Sequence, residues 1–143
     1  MKADAPKIFL VDDNAFHLEL VAKTLNDNGI SNITTFLNGF DALENLHLHP
    51  DIIFLDHDMG SISGFETLRK IKRQNPNIFV VMVSGQETIS AAVESLKFGA
   101  IDYIQKNEEM SDKIVEVLQK IENVKAMLKK NKPSILKSLF TFL

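Results

Sequence analysis

The 143-residue sequence contains no cysteine and no long apolar run. The absence of cysteine excludes disulfides, thiolate metal sites and thiol chemistry, and it suits a reducing compartment. The apolar run at residues 8–11 is far too short for a signal peptide or a membrane-spanning helix. A chain of this length buries roughly 70% of its unfolded surface, which is enough for a core. We therefore expect one soluble, cytoplasmic domain.

Acidic side chains are missing from the carboxyl-terminal end. Residues 123–143 carry five basic side chains and none that is acidic, whereas residues 1–122 carry 11 basic and 19 acidic side chains, a net charge of −8. The body of the protein is therefore expected to attract cations and to repel nucleic acid. The lysines at the basic end are expected to be solvated on the outer face of a helix.

Short apolar segments alternate with helical patterns along the chain. Segments rich in Ile, Val and Phe predict strands over 7–11, 33–37, 52–55, 78–83 and 101–104. Helices are predicted over about 15–28, 39–46, 64–74 and 87–97, with a long last helix from near Glu108. In the fourth helix, the residues expected to be available for burial are Ala91, Ala92, Val93 and Leu96. The alternation predicts a parallel sheet with helices on both faces, because parallel strands need crossovers.

Charged and hydroxyl residues follow the predicted strands. Asp12 and Asp13 follow the first strand and Asp56 the third, while Ser84 follows the fourth and Lys106 the fifth. Ligands of parallel sheets bind at the carboxyl ends of the strands. Carboxylates that meet there repel one another unless a cation neutralises them, and a hard divalent ion such as Mg²⁺ prefers oxygen ligands. The pattern predicts a divalent-cation site that offers one carboxylate oxygen to phosphorus.

At this point the sequence resembles the receiver domain of two-component response regulators. The resemblance spans about residues 7–122, in the family's order and spacing. It is carried by Asp12-Asp13, Asp56-His57-Asp58-Met59-Gly60 with Gly64 and Glu66, Ser84-Gly85, and the stretch from Phe98 to Lys106. It implies an α/β, flavodoxin-like, doubly wound sheet of five parallel strands in the order 2-1-3-4-5. The implied organisation is a receiver domain over 5–124 and a basic, amphipathic helical tail over 125–143.

The resemblance also implies how phosphate is bound. Asp56 is the expected phosphoacceptor, and Lys106 and the Ser84 hydroxyl are expected to bind the phosphoryl oxygens. The expected cofactor is Mg²⁺, or Mn²⁺. Asp13 and Asp56 are its expected direct ligands and Asp12 is expected to bind it through a water, while the resemblance adds the backbone carbonyl of Asp58. Ser84 and Tyr103 are the implied switch residues, and the residues implied to tune the phosphoryl lifetime are Asp58 and Gln86.

Three positions depart from the family pattern. Asn107 replaces the usual proline after Lys106, which predicts a looser lysine loop. Gly60 replaces a usual proline after Met59, which predicts a looser turn below the phosphoacceptor. Asp58 is an unusual acid at its position, and we expect it to alter autodephosphorylation, with a sign that the sequence leaves open.

A phosphohistidine on a sensor histidine kinase or a histidine phosphotransfer protein is the implied phosphate source. Too little chain remains after residue 122 for a DNA-binding or catalytic module. We therefore expect a stand-alone switch that acts on an unknown downstream protein, binds no nucleic acid by itself and catalyses only its own phosphorylation and dephosphorylation. Two alternatives stay open: a phosphatase of the haloacid dehalogenase type using Asp56-His57-Asp58, although that class has its motif on the first core strand, and a phosphate-independent pseudo-receiver.

The site residues have plain structural alternatives. Asp12-Asp13 fits a helix cap, Tyr103 an ordinary packed aromatic residue, Ser84 a turn and Lys106 a solvated lysine. A transition-metal site is not expected, because no cluster spacing joins the histidines at 47, 49 and 57.

The last helix carries an apolar seam that fits either docking on the sheet or a short coiled coil. Its members are Met110, Ile114, Val117, Ile121, Val124 and Leu128. Pro133 breaks this pattern and predicts a second short helix. That helix would present Ile135, Leu136, Leu139, Phe140 and Leu143 on one face. Burial against the same chain or a dimer mate is the expected outcome, with a partner groove second and a membrane surface least favoured.

Overall fold

The computed structural model describes residues 5–60, 62–85 and 88–130. Within these ranges the five strands form one parallel sheet in the order β2-β1-β3-β4-β5, which confirms the predicted fold. The strands are β1 (Ile8–Val11), β2 (Ile33–Phe36), β3 (Ile52–Asp56), β4 (Phe79–Ser84) and β5 (Asp102–Gln105). The helices are α1 (Ala15–Asp27), α2 (Gly39–Glu44), α3 (Gly64–Gln74), α4 (Ile89–Lys97) and α5 (Met110–Lys130), with a short 3-10 turn at Leu46–Leu48.

Local sequence explains where the helices begin and end. Asn14, Ser63 and Thr88 precede α1, α3 and α4, and each side chain accepts a hydrogen bond from a backbone N–H of the first helical turn. Gly29 and Gly99 follow α1 and α4 with φ of 81° and 106°, a conformation that favours glycine. The predicted elements are therefore confirmed, with ends displaced by at most two residues.

Two apolar layers enclose the sheet. One face packs against α1 and α5 through residues such as Leu10, Phe54 and Val81. The other face carries Phe9, Leu55 and neighbouring residues against the side of α2 and α3. All five residues of β3 are buried, because this strand lies in the middle of the sheet. The phosphoacceptor predicted at its last residue therefore stands on a strand that is buried along its whole length.

The seam of α5 docks on the sheet over its first three turns. Met110, Ile114, Val117 and Ile121 are buried in the core, as the docking alternative predicts, whereas Val124 and Leu128 are half-buried. The helix runs without a break past residue 125, where the tail was predicted to begin. The rest of the predicted tail, 131–143, lies outside the described residues and stays a prediction. In the described part of the chain, no helix is both long and apolar enough to cross a bilayer.

The buried face of α4 differs from the prediction. Ala91 and Ser95 are buried, and the Ser95 Oγ donates to the Ala91 carbonyl at 2.8 Å. Val93 and Leu96, which were expected to be available for burial, are 57% and 50% exposed. The prediction was wrong because small residues form the stripe that packs on the sheet edge. This leaves an outward apolar face on α4 that also includes Ile89, which is 82% exposed.

Two glycines near the end of β3 provide a matched test of packing. A Cβ on Gly64 would lie 2.5 Å from the Asp56 carbonyl oxygen and 2.7 Å from the His57 Cα, so backbone atoms must shift. We expect Gly64→Ala to lower the free energy of unfolding by about 2 kcal/mol or more in urea denaturation. A Cβ on Gly60 meets nothing within 4 Å. Gly60→Ala should therefore raise it by about 0.5 kcal/mol, and equal losses in both variants would contradict this packing.

Candidate functional site

Three carboxylates meet at the carboxyl edge of the sheet. Asp12 and Asp13 follow β1, and Asp56 ends β3, the strand paired with β1. One oxygen from each lies within 4.8 Å of the other two. Asp12 and Asp56 are 6% and 3% exposed, while Asp13 is exposed to solvent. The structure thus brings together the three acids that the strand ends pointed to.

Lys106 places one positive charge among these acids. Its Nζ lies 2.9 Å from the Asp12 Oδ2 and 3.0 Å from the Asp56 Oδ1, and its side chain is only 13% exposed. Burial disfavours the ammonium ion, but the hydrogen bonds and charges of Asp12 and Asp56 outweigh that effect and hold the pKa of Lys106 above its ordinary value. The alternative of a solvated lysine is therefore wrong.

The ionisation of Asp56 is unfavourable in this pocket. Burial raises its pKa, and the negative charge of Asp12 raises it further, while the hydrogen bond and charge of Lys106 lower it. The net effect raises the pKa of Asp56 from 3.8 to about 6. A hard divalent cation fits this donor set, because its charge would offset the repulsion among the acids and its preferred ligands are oxygens.

Ser84 and Asp58 are joined beside Asp56. Ser84 is fully buried at the end of β4, and its Oγ donates to the Asp58 Oδ2 at 3.4 Å. The other carboxylate oxygen, the Asp58 Oδ1, lies 3.2 Å from the His57 Nδ1. The backbone N–H of Asp58 donates to the Asp56 Oδ1 at 3.4 Å. The sequence did not reveal that the Ser84 hydroxyl is bonded to this acid.

Tyr103 lies on β5, at the edge of the sheet. It is half-buried, packs against the apolar layer on the α3 side and lines a cleft with Ile89 and Ala92 of α4. Gln86, the other residue expected to tune the lifetime, lies outside the described residues. The switch and lifetime roles of Tyr103 and Gln86 stay predictions.

Sequence reasoning missed two residues that contact Asp12. The backbone N–H of Asn14 donates to the Asp12 Oδ1 at 2.9 Å, and the Asn14 side chain caps α1. The alternative in which Asp12-Asp13 caps the helix is therefore wrong. One turn into α1, the His17 Nδ1 lies 3.7 Å from the Asp12 Oδ2. The sequence did contain one signal for the position of His17, namely Asn14, a residue type that often caps helices. A helix that begins directly after Asn14 places residue 17 one turn later, close to the end of β1.

Asn107 organises the loop that follows Lys106. Its Oδ1 accepts the Glu109 N–H at 2.9 Å, and its Nδ2 donates to the Gln105 Oε1 at 3.1 Å. The backbone N–H of Lys106 donates to the Ser84 carbonyl at 2.7 Å. The position that lacks the family's proline therefore has its own side-chain hydrogen bonds, and these delay the start of α5 to Met110.

Comparison with known proteins identifies the family. The family model described as "Response regulator receiver domain" matches residues 8–119. The chain belongs to this family, and it is a phosphoacceptor domain rather than a true enzyme. The acidic cluster of Asp12, Asp13 and Asp56 is typical of the Mg²⁺ site of receiver domains. The dehalogenase alternative is set aside, because Asp56 ends the third strand and not the first.

Individual relatives agree with this assignment. The chain is 36% identical over 104 residues to a protein-glutamate methylesterase/protein-glutamine glutaminase of Geobacillus kaustophilus, covering 70% of this chain and 30% of that protein. It is 34% identical over 107 residues to the transcriptional regulatory protein ZraR of Klebsiella oxytoca, covering 74% and 24%. The receiver domain of NtrX from Brucella abortus superposes with a TM-score of 0.74 at 32% identity, covering 80% and 96%. The chain thus spans about a third or less of the length of these two curated relatives.

The raised pKa of Asp56 predicts a pH dependence of stability. Folding favours the protonated acid, so its contribution is fully present below about pH 4 and is lost as the pH rises through about 6. Without metal, the free energy of unfolding should fall by about 2 to 3 kcal/mol across this window because of Asp56.

Urea denaturation in a chelator, from about pH 4 to about pH 7, measures this dependence. Asp56→Asn should lack the Asp56 contribution to the slope. Asp27→Asn, which changes an exposed acid paired with Lys23, should keep it. Parallel curves for the parent and Asp56→Asn would contradict the prediction.

Proposed function

We propose that the chain is a single-domain response regulator that accepts a phosphoryl group on Asp56. The observation that supports this most strongly is the cluster of Asp12, Asp13 and Asp56, in which the Lys106 ammonium contacts the two buried acids, Asp12 and Asp56. Receiver domains pair with histidine kinases. The donor we propose is a phosphohistidine of a sensor histidine kinase or of a histidine phosphotransfer protein, in the cytoplasm.

In the proposed reaction, an oxygen of ionised Asp56 attacks phosphorus. The new oxygen–phosphorus bond forms as the phosphorus–nitrogen bond to histidine breaks, and the electron pair of that bond returns to the imidazole. Lys106 moves from the carboxylates to the phosphoryl oxygens, and the Ser84 hydroxyl donates to another. The proposed direct ligands of Mg²⁺ or Mn²⁺ are Asp13, Asp56 and the backbone carbonyl of Asp58, with Asp12 held to the cation through a water. A bound cation supplies charge neutralisation for the acids and the phosphoryl group.

The proposed signal is a change of surface. A phosphoryl group adds nearly two negative charges and three acceptor oxygens beside β4. It draws the Ser84 hydroxyl away from Asp58, and Tyr103 moves inward on β5. The surface made by α4, β5 and α5 then changes its shape, and the outward apolar residues Ile89 and Val93 support a protein-binding role for it. Shifting the ratio of the active to the inactive conformation from 1:99 to 99:1 requires phosphorylation to favour the active conformation by about 5.5 kcal/mol.

Stand-alone action is part of the proposal. The curated relatives are longer proteins, and each carries its receiver as a fraction of its length. Residues 125–143 are proposed as a tail that follows the receiver at 5–124, with dimerisation through α5 and the tail as one use. The downstream protein target stays unknown.

Intact mass after treatment with a small phosphodonor and Mg²⁺ tests the phosphoacceptor. We expect one added phosphate on the parent chain and none on Asp56→Asn, because the amide is not a nucleophile. Asp27→Asn should be labelled as the parent is, since that acid lies outside the pocket. Absence of labelling in the parent would favour the phosphate-independent pseudo-receiver, and labelling of Asp56→Asn would place the phosphate elsewhere.

Asp58 gives a second prediction, and its contact with Ser84 supports one sign for it. Its carboxylate accepts the Ser84 hydroxyl and places a negative charge beside the phosphoryl position. Asp58→Asn weakens that charged hydrogen bond and removes the charge, so Ser84 can hold the phosphoryl group more firmly. We expect a phosphoryl lifetime about two- to fivefold longer, a modest factor because Asp58 is partly solvated.

Loss of the phosphate mass over time measures this lifetime. Glu66→Gln, on the exposed first turn of α3, is the control that removes one acid outside the pocket. Decay of Asp58→Asn that is identical to that of the parent, or faster, would contradict the proposed role.

A further inference from the structure

Two nitrogen atoms approach the same carboxylate oxygen at the buried edge of the site. The Asp12 Oδ1 accepts the Asn14 N–H at 2.9 Å. The Asp12 Oδ2 lies 2.9 Å from the Lys106 Nζ and 3.7 Å from the His17 Nδ1. Asp12 is only 6% exposed, so solvent does little for this oxygen. Its hydrogen bonding therefore depends on which nitrogen is near it.

The His17 Nδ1 is a buried polar atom without a hydrogen-bond partner among the residues that the structure describes. Its separation of 3.7 Å from the Asp12 Oδ2 is too long for a hydrogen bond. Buried polar atoms are nearly always paired, so an exception calls for an explanation. The His17 backbone N–H donates to the Asn14 side chain at 3.2 Å, which fixes the residue on the first turn of α1. A movement of less than about 1 Å would bring the ring nitrogen into hydrogen-bond range.

The proposed function removes the nearer nitrogen. When Lys106 moves to the phosphoryl oxygens, the buried Asp12 Oδ2 loses its closest hydrogen-bond donor. The proposed cation, held directly or through a water, would take one lone pair of this oxygen and leave the other to accept a hydrogen bond. We propose that His17 is a positioning residue that donates its Nδ1–H to the Asp12 Oδ2 when Lys106 leaves it. The inference rests on the proposed movement of Lys106 and adds a residue that the family's motif does not include. The exchange keeps Asp12 oriented and hydrogen-bonded in the phosphorylated state.

A neutral His17 ring can donate a hydrogen bond from Nδ1 to the Asp12 Oδ2 only as the tautomer that carries hydrogen on Nδ1. Nitrogen-15 NMR of labelled histidine distinguishes the two tautomers directly. Lys106→Met keeps an unbranched side chain but removes the ammonium, so it mimics the departure of Lys106 without any phosphate. In the metal-free variant at about pH 8, we expect the His17 Nδ1–H population to rise above that of the parent.

The spectrum carries its own controls. His17→Asn identifies the His17 signals by their disappearance. His47 is exposed, with its Nδ1 near the Glu44 carbonyl, and its signals should be the same in the parent and in Lys106→Met. An unchanged His17 tautomer in Lys106→Met would overturn the proposal, because the oxygen has then lost Lys106 without recruiting the ring.

Rescue by a smaller donor tests the hydrogen bond in the activated state. His17→Phe keeps a ring but has no donor, whereas His17→Asn retains an N–H near the position of Nδ1. We expect the apparent affinity for beryllofluoride with Mg²⁺ to fall about tenfold in His17→Phe and less than about threefold in His17→Asn. Equal losses in the two variants would overturn the proposal.

The two experiments separate this inference from the proposed function. If the parent neither binds beryllofluoride nor takes up phosphate, the phosphoacceptor proposal fails, while the tautomer of His17 in Lys106→Met still decides the inference. If His17→Phe does not fold, the NMR comparison decides alone, because both of its proteins contain His17.

Discussion

The site depends on one ammonium group shared by two buried carboxylates. Lys106 contacts both Asp12 and Asp56, and each acid is nearly inaccessible to water. A single positive charge cannot balance three carboxylates. Burial, and then the negative charge of Asp12, raise the pKa of Asp56 despite the opposing effect of Lys106. The pocket therefore combines attraction with repulsion, and its excess negative charge favours binding a cation. This combination follows from Coulomb interactions in a poorly solvated space, where both the attraction and the repulsion are stronger than in water.

The burial that stabilises the sheet also makes ionisation of Asp56 unfavourable. Every residue of β3 is enclosed, and the apolar residues before Asp56 stabilise the strand while the acid at its end is desolvated. Moving Asp56 outward would relieve the desolvation but would break its register with Val83 of β4. Gly64 packs against the Asp56 backbone on the α3 side. A Cβ on Gly64 would lie only 2.5 Å from the Asp56 carbonyl oxygen, so Asp56 cannot move toward α3. Asp56 is thus held in position by packing on both sides.

Much of this arrangement was predictable from the sequence. Apolar runs bounded by polar residues located the five strands, and the rule that parallel strands share one carboxyl edge brought the acids together. The strand order came from the family resemblance. The outward face of α4 was not predictable, because burial there is decided by the small Ala91 and Ser95 against the sheet edge. The contacts Ser84–Asp58 and His17–Asp12 depend on loop paths and on the entry angle of α1, which residue types alone do not specify.

The proposed switch couples two exchanges of hydrogen-bond partner. Ser84 ends β4 and is bonded to Asp58, while Lys106 follows β5 and is bonded to Asp12 and Asp56. The backbone bond from the Lys106 N–H to the Ser84 carbonyl ties these two strand ends together. A phosphoryl group that attracts one side chain therefore acts on the backbone of the other. Because both exchanges replace one charged hydrogen bond by another, the difference between the two states stays small enough for a phosphoryl group to reverse it.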